Sequence, residues 1–309
     1  MRRHDRHIDC FGGTVEIALL STDARAAHAA LDEAELRLGR WHDRLTRFES
    51  GSELSRLNAD PRSRVPASPE LLALAAAVPY AGELSGGLVD ATLVGPIERA
   101  GYDRSRDPLP AAPPLAPSLS PQPAGPHPAA RWRQVHADLE TGAVERPIGV
   151  ELDSGGLAKG LAADDAARAL DGFPRFTVDC AGDLRVGGAD PRSWRIDVAN
   201  PTGGGAVATL AALNGTAVAT SGVTRRRWRH RGGTSHHLLD PATGEPAFTG
   251  VLQATALAPT GLEAEVRAKT ALLAGPYAGP RHLAHGGVLV LAGGDVVTVD
   301  PARRPAVAA

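Results

Sequence analysis

Lysine is nearly missing from this chain. Of 33 lysines and arginines, only Lys159 and Lys269 are lysines. Cysteine is equally scarce: Cys10 and Cys180 are too few for a disulfide framework and do not form a spaced metal motif, so reduced thiols are expected. No apolar run is long enough to span a bilayer, because the Ala- and Gly-rich segments are repeatedly broken by charge or proline. The stretch Met1-Arg2-Arg3-His4-Asp5-Arg6-His7-Ile8-Asp9 is charged and has no apolar segment ahead of Cys10. That pattern argues against a signal peptide, a lipoprotein anchor or a transmembrane start, and a cytoplasmic protein is expected. A surplus of either charge is lacking too. A formal net charge of −2 gives no general attraction to nucleic acid or anionic lipid, so neither is expected as a partner. The one basic concentration, Arg225-Arg226-Arg227-Trp228-Arg229-His230-Arg231, fits a solvated hairpin, a phosphate clamp or a nucleic-acid strip.

What is present is enough apolar material for a full core: 309 residues, 43% of them apolar, as one large domain or two lobes. Val15, Ile17 and Leu19 alternate as in a half-buried strand after a Gly12-Gly13 turn. Ala27, Leu31, Ala34, Leu38, Trp41, Leu45 and Phe48 then recur at helical spacing from Ala24 to about Phe48. Ser52 is placed to cap a short helical turn, and Ser68-Pro69-Glu70 opens a further helix that Pro79 bends or ends. From Arg104 to Ala130 proline, alanine and serine dominate without periodicity, which predicts a mobile surface loop inside a single domain spanning 1–309, or a polyproline ligand for a partner. Strands are expected between Trp132 and Val150, a helix over Leu161–Leu170, and strands at Phe176–Cys180, Trp194–Val198, Ala206–Leu213 and Ala217–Thr220. A helix over Glu263–Leu273, stopped by Gly275, precedes a closing hairpin around Gly293-Gly294-Asp295. Strands that run together after helices predict an α+β fold with a layered mixed sheet and helices.

The chemistry concentrates at Leu152-Asp153-Ser154-Gly155-Gly156-Leu157-Ala158-Lys159-Gly160. A glycine pair lets backbone approach a ligand, a helix start offers free N–H groups, and a lysine adds a compact charge, all of which suit a phosphate. An ordinary strand-to-helix turn has the same pattern. His237 precedes an Asp-Pro turn, where a satisfied strand-end histidine is equally in place. Glu265 and Lys269 stand four apart on one helix face, the favourable order for a surface ion pair.

Taken in order, these segments resemble the FAD:protein FMN transferases, the ApbE-type flavin transferases, over roughly Phe11 to Gly275. Phe11-Gly12-Gly13 is similar to the family's Met-Gly-Thr start, and Ser52-Glu53-Leu54-Ser55-Arg56-Leu57-Asn58 to its Ser-x-Leu-Ser-x-Leu-Asn. Val89-Asp90-Ala91-Thr92 with Gly95-Pro96 echoes Phe-Asp-Pro-Thr-x-Gly-Pro. Asp153 to Gly160 follows Asp-x-Gly-Gly-Ile-Ala-Lys-Gly with one conservative change, and Asp179-Cys180-Ala181-Gly182-Asp183 follows Asn-Ala-Gly-Gly-Asp. Ala217-Val218-Ala219-Thr220-Ser221-Gly222 with Arg226, and His237-Leu238-Leu239-Asp240-Pro241-Ala242-Thr243-Gly244, complete the set.

The resemblance implies an enzyme that binds FAD, uses Mg²⁺ against the pyrophosphate, and moves FMN onto a Thr or Ser of an acceptor protein with release of AMP. It implies FAD contacts from Gly12, Asn58, Asp90, Thr92, Asp153, Gly155, Gly156, Lys159, Gly182, Asp183, Ser221, Gly222, Arg226 and His237. Lys159 would stabilise developing charge and His237 would handle a proton. A flavin-binding protein without the transfer step and a hydrolase splitting FAD are the alternatives. The metal helix departs from the family pattern of Asp followed four residues later by Thr, since Glu265 and Lys269 hold those places. Glu can supply an oxygen ligand, but a protonated lysine cannot coordinate Mg²⁺. Lys269 is therefore expected either to stand in for part of the metal's charge or to form a plain surface pair with Glu265.

Overall fold

The computed structural model describes residues 1–104, 120–230 and 233–300. The chain begins with a hairpin, β1 (Arg2–Cys10) and β2 (Gly13–Ser21), turned by Phe11 and Gly12, both at positive φ (55° and 69°). The charged N-terminal stretch is thus itself a strand, and the turn falls one residue earlier than expected. Helix α1 (Ala24–Leu45) starts where the Asp23 carboxylate accepts from the N–H groups of Arg25 and Ala26, and it buries the stripe Ala27, Leu31, Ala34, Leu38, Trp41 and Leu45. Ser52 caps α2 (Glu53–Ala59) through the Ser55 N–H at 3.0 Å.

After β3 (Arg64–Pro66), helix α3 (Pro69–Leu84) is capped by Ser68 and runs straight through Pro79. Its residues Leu74, Ala75, Ala77, Val78 and Ala81 are buried on either side of the proline, so packing outweighs the lost hydrogen bond that would otherwise end the helix. The short α4 (Val94–Arg99) follows. The proline-rich segment lies partly outside the described residues, and with it the polyproline-ligand expectation. Its described part is docked rather than loose: Gln122 N–H donates to Phe248 O at 2.9 Å, and Gly125 N–H to Asp240 Oδ1 at 2.9 Å. Strands β4 (His136–Asp138) and β5 (Ala143–Glu145) join β3 in a small sheet.

Helix α5 (Ala158–Ala167) leads into β6 (Arg175–Cys180) and β7 (Asp183–Gly187). The hairpin β8 (Trp194–Ala199) and β9 (Ala206–Ala212) is followed by β10 (Ala217–Gly222) and a second hairpin, β11 (Arg227–His230) and β12 (Gly233–His236). Strand β13 (Val251–Ala258), α6 (Gly261–Leu273), the one-turn α7 (Gly275–Ala278), β14 (Gly287–Leu291) and β15 (Val296–Val299) follow among the described residues.

One eight-stranded sheet runs in the order β1-β2-β6-β7-β10-β13-β14-β15. The α+β layering is as expected; the strand directions are not mixed, because every pairing in this sheet is antiparallel. Side-chain alternation divides its faces. Ala217, Ala219, Ala254, Ala256 and Leu289 join α6 in one core cluster, whereas Val218, Leu257, Val288 and Val290 join the β8–β9 hairpin in another. The alanines on the helix side keep α6 close to the sheet, and a third cluster holds α1, α3 and α5 against Ile17, Val178 and Cys180. Among the described residues, no helix is long and apolar enough to cross a membrane.

Candidate active site

Four residues from distant parts of the chain pin the corner before α5. The Asn58 amide donates to Leu152 O (2.9 Å) and accepts from Leu152 N–H (2.8 Å). Asp153 N–H donates to Ala91 O at 2.8 Å, and Ser154 Oγ donates to Leu45 O at 2.7 Å. Arg47, its side chain buried, places Nε 3.1 Å from Asp153 Oδ1. The helix then begins at Ala158, earlier than the expected Leu161, so Gly155-Gly156 delivers the chain directly into it.

No side chain of α5's own caps its start. Instead Gly160 N–H donates to Glu265 Oε2 at 2.9 Å, a carboxylate that arrives from α6. Contact between the two helices makes this possible. A Cβ built on Gly160 would lie 2.5 Å from the Gly261 carbonyl carbon, so only glycine allows the approach. The other oxygen, Glu265 Oε1, accepts from Lys269 Nζ at 2.8 Å. Glu265 is wholly buried and Lys269 is 8% exposed, so the expected surface pair is an interior one.

A second buried ion pair lies alongside, with Lys159 Nζ 2.5 Å from Asp183 Oδ2. Burial alone would push both Glu265 and Asp183 up. For Glu265, Lys269 and Lys159 outweigh it and hold the carboxyl below its ordinary value. For Asp183, burial prevails over Lys159 and the value rises. Lys159 is pulled down by burial but held above its usual value by Asp183 and Glu265, so the ammonium stays charged.

Two cavities, of about 540 and about 430 Å³, meet at this cluster. Gly155, Lys159, Arg226, His237 and Lys269 line both and form the waist between them. Gly12, Asp90, Asp153 and Gly156 lie in the first cavity, Gly182, Ser221 and Gly222 in the second. Arg226 Nη2 donates to Phe11 O at 3.0 Å, which ties the β1–β2 turn to the waist. Asp90 accepts from Thr92 N–H (2.8 Å) and Thr92 Oγ1 (2.6 Å) with one oxygen, while its other oxygen is buried without a partner.

Four of the expected site residues face neither cavity. Asn58 clamps the corner, Thr92 orients Asp90, Asp183 backs Lys159, and Glu265 backs Lys269. The basic cluster likewise divides: Arg225 lines the second cavity, Arg226 stands at the waist, Arg227 is buried in the hairpin, Arg229 is exposed, and Arg231 lies outside the described residues.

The two adjacent histidines have different environments: His236 is the last residue of β12, and His237 is the first residue beyond it, where the chain bends. His236 is the satisfied one, its ring bonded to Ala247 O (3.0 Å) and to Leu238 N–H (3.3 Å). His237 Nδ1 is buried with no hydrogen-bond partner, at the waist. Burial, then Arg226, His236 and the two lysines, push its pKa well down, so the ring is neutral at pH 7.

Sequence reasoning missed the wall of the first cavity. His42 accepts from Phe11 N–H at 3.3 Å, Arg47 lies over Phe48 and Tyr102, and Tyr102 stacks on Trp228 with centroids 5.0 Å apart. The only available signal was the pairing of scarce aromatics with arginines.

The ApbE family model matches residues 11–292, and the chain belongs to the ApbE family. It is 30% identical over 274 residues to the FAD:protein FMN transferase of Treponema pallidum, covering 82% of this chain and 73% of that one. With the FAD:protein FMN transferase of Salmonella typhimurium it is 34% identical over 119 residues, 37% of this chain and about a third (34%) of the relative's length. In structure it is similar to the ApbE protein of Thermotoga maritima (TM-score 0.75, 24% identity, 96% of this chain and 97% of that one). It is also similar to the flavinyl transferase ApbE of Pseudomonas stutzeri (TM-score 0.76, 23% identity, 97% and 95%).

Proposed function

We propose that this protein is an FAD:protein FMN transferase that moves FMN from FAD onto a Thr or Ser of an acceptor protein and releases AMP. One observation carries the reading. Two chambers, each of a size suited to part of a dinucleotide, meet at a waist bearing Lys159, Lys269, Arg226 and a neutral histidine. The two halves of FAD would occupy the chambers and its pyrophosphate the waist, where the cations oppose its charge. The free Asp90 oxygen is an acceptor for a flavin N–H or ribityl hydroxyl in the first chamber.

In the transfer, the acceptor's hydroxyl oxygen bonds to the FMN phosphorus. The bond from that phosphorus to the bridging oxygen breaks, and AMP leaves with the electron pair. His237 takes the hydroxyl proton. Empty, the waist disfavours an imidazolium through burial first and its cations second, and the pyrophosphate would add negative charge beside the ring and raise its basicity when it is needed.

The Mg²⁺ implied by the resemblance does not fit these residues. Both oxygens of Glu265 are engaged, by Lys269 and by Gly160 N–H, and an ammonium has no lone pair to give a metal. Among the described residues, no group of three His, Cys, Asp or Glu side chains could hold a metal ion. A cytoplasmic setting belongs to the same proposal, in keeping with two free, buried cysteines.

Incubation of the purified protein with FAD and a Thr-containing acceptor domain tests the reading. Covalent flavin on the acceptor with stoichiometric AMP is expected. Tight FAD without AMP would show a binding protein instead, and free FMN plus AMP with unmodified acceptor would show a hydrolase.

A further inference from the structure

The waist holds three cations, Lys159, Arg226 and Lys269, against two carboxylates, Asp183 and Glu265. Both lysines of the chain are here. Arginine has replaced lysine everywhere else, so these two places call for a compact charge rather than a planar fork. Lys269 is also built in. Its stem runs past Gly156, where an added Cβ would meet Lys269 Cε at 3.5 Å, and its ammonium ends on Glu265 Oε1 at 2.8 Å. Glu265 in turn spends its second oxygen on Gly160 N–H, the start of the helix that carries Lys159. The pair therefore connects both lysines through the helix start, and neither carboxylate oxygen is left over.

A divalent ion placed beside Lys269 would meet an ammonium that is largely screened from water, and like-charge repulsion is strong in such surroundings. To take either oxygen of Glu265 it would have to displace a partner already there, the Lys269 ammonium from Oε1 or the α5 cap from Oε2. From this arrangement we infer that in this chain the Lys269 ammonium takes the place of a divalent cation, so that FAD binding and FMN transfer proceed without one. The inference rests on the transferase reading. In the step written above, the charge that builds on the departing AMP phosphate is met by Lys159, Lys269 and Arg226, and the bonds made and broken are unchanged.

The test uses the full-length protein, stripped with EDTA and compared with the same protein in millimolar Mg²⁺. FAD affinity is read by calorimetry, AMP release by chromatography, and bound metal by elemental analysis. Affinity should differ by less than about twofold between the two conditions, AMP release should persist in EDTA, and no stoichiometric divalent metal should be found. Lys269→Thr should weaken FAD binding in EDTA by about tenfold or more, because a charge-assisted contact is lost. Partial recovery of that variant with Mg²⁺, or none, agrees with the inference; an unchanged affinity overturns it. If Lys269→Thr does not fold, the wild-type comparison decides alone. Wild-type binding that falls about tenfold in EDTA and returns with Mg²⁺ overturns the inference but leaves the transferase reading standing. Failure to bind FAD under either condition overturns both.

Discussion

Asn58 and Leu152, 94 residues apart in the chain, are joined by two hydrogen bonds of 2.9 and 2.8 Å between one side-chain amide and one residue's backbone. Leu152 is fully buried, so its N–H and C=O have no water to turn to if the amide is removed. The corner that carries Gly155, Gly156 and Lys159 begins at the next residue. Asn58→Ala is expected to cost about 2–4 kcal/mol in denaturant unfolding, through the two unsatisfied backbone groups, and to weaken FAD binding as the corner loosens. A variant with wild-type unfolding and wild-type affinity would show that the clamp holds nothing.

The Lys159–Asp183 pair separates charge placement from folding. Lys159→Met leaves a buried carboxylate without its partner and should destabilise by about 3–5 kcal/mol, less whatever Asp183 regains by taking up a proton. Adding Asp183→Asn should restore much of that stability without restoring FAD affinity, because the waist still lacks its ammonium. Recovery of both in the double variant would remove Lys159 from the binding machinery.

His237→Ala should lower AMP release by about 10²–10⁴-fold while FAD affinity stays within a few-fold. The ring is neutral in the free enzyme, so its loss removes an acceptor for the proton but no charge from the waist. Single-turnover kinetics alongside an FAD titration would decide. An equal loss of binding and turnover would make this histidine a structural one.

His236 provides a pH test of stability. Its neutral ring bonds Ala247 O and Leu238 N–H, and burial, chiefly, lowers its pKa from 6.5 to about 4. The unfolded chain therefore binds a proton that the folded chain refuses between those values. Its contribution is complete above pH 6.5 and falls as pH drops toward 4, by roughly 3 kcal/mol in all. His237, also depressed, adds to the same slope. Asp60, Asp138 and Asp190, held down to about 2, lose their contributions only below the usual carboxylate range and do not confuse the window. Urea unfolding at several pH values should show this decline, with a shallower slope in His236→Gln; parallel slopes would contradict it.

Much of the helical part was legible because its signals are local. The stripe of α1 and the Ser52 and Ser68 caps lie within a few residues of what they specify, and the structure places them as expected except that α1 ends at Leu45 and leaves Phe48 beyond it. Strands were harder. β1 carries charge on both faces as a sheet edge, and β13 is alanine-rich because α6 presses on Ala254 and Ala256, so neither has a strand-like composition. At the site, Lys159, Arg226, His237 and Lys269, named from motifs far apart in the chain, line both cavities, whereas Asn58, Thr92, Asp183 and Glu265 line neither and bond to neighbouring residues instead.

The sequence by itself determined the local elements, the choice of lysine at two positions and arginine elsewhere, and the pairing of Glu265 with Lys269 one helical turn apart. Only the tertiary structure decided what that pairing is for. Contact between Gly160 and Gly261 brings the α6 carboxylate beneath the α5 start and buries the ion pair, turning a weak surface contact into a charge at the waist. The same applies to the histidines: sequence marks two in a row, and the packing at the end of β12 satisfies His236 and leaves His237, in the bend that follows, at the cavities. Burial and the company of other charges set the chemistry of these groups, and both arise between segments a hundred residues apart, beyond the reach of any local pattern.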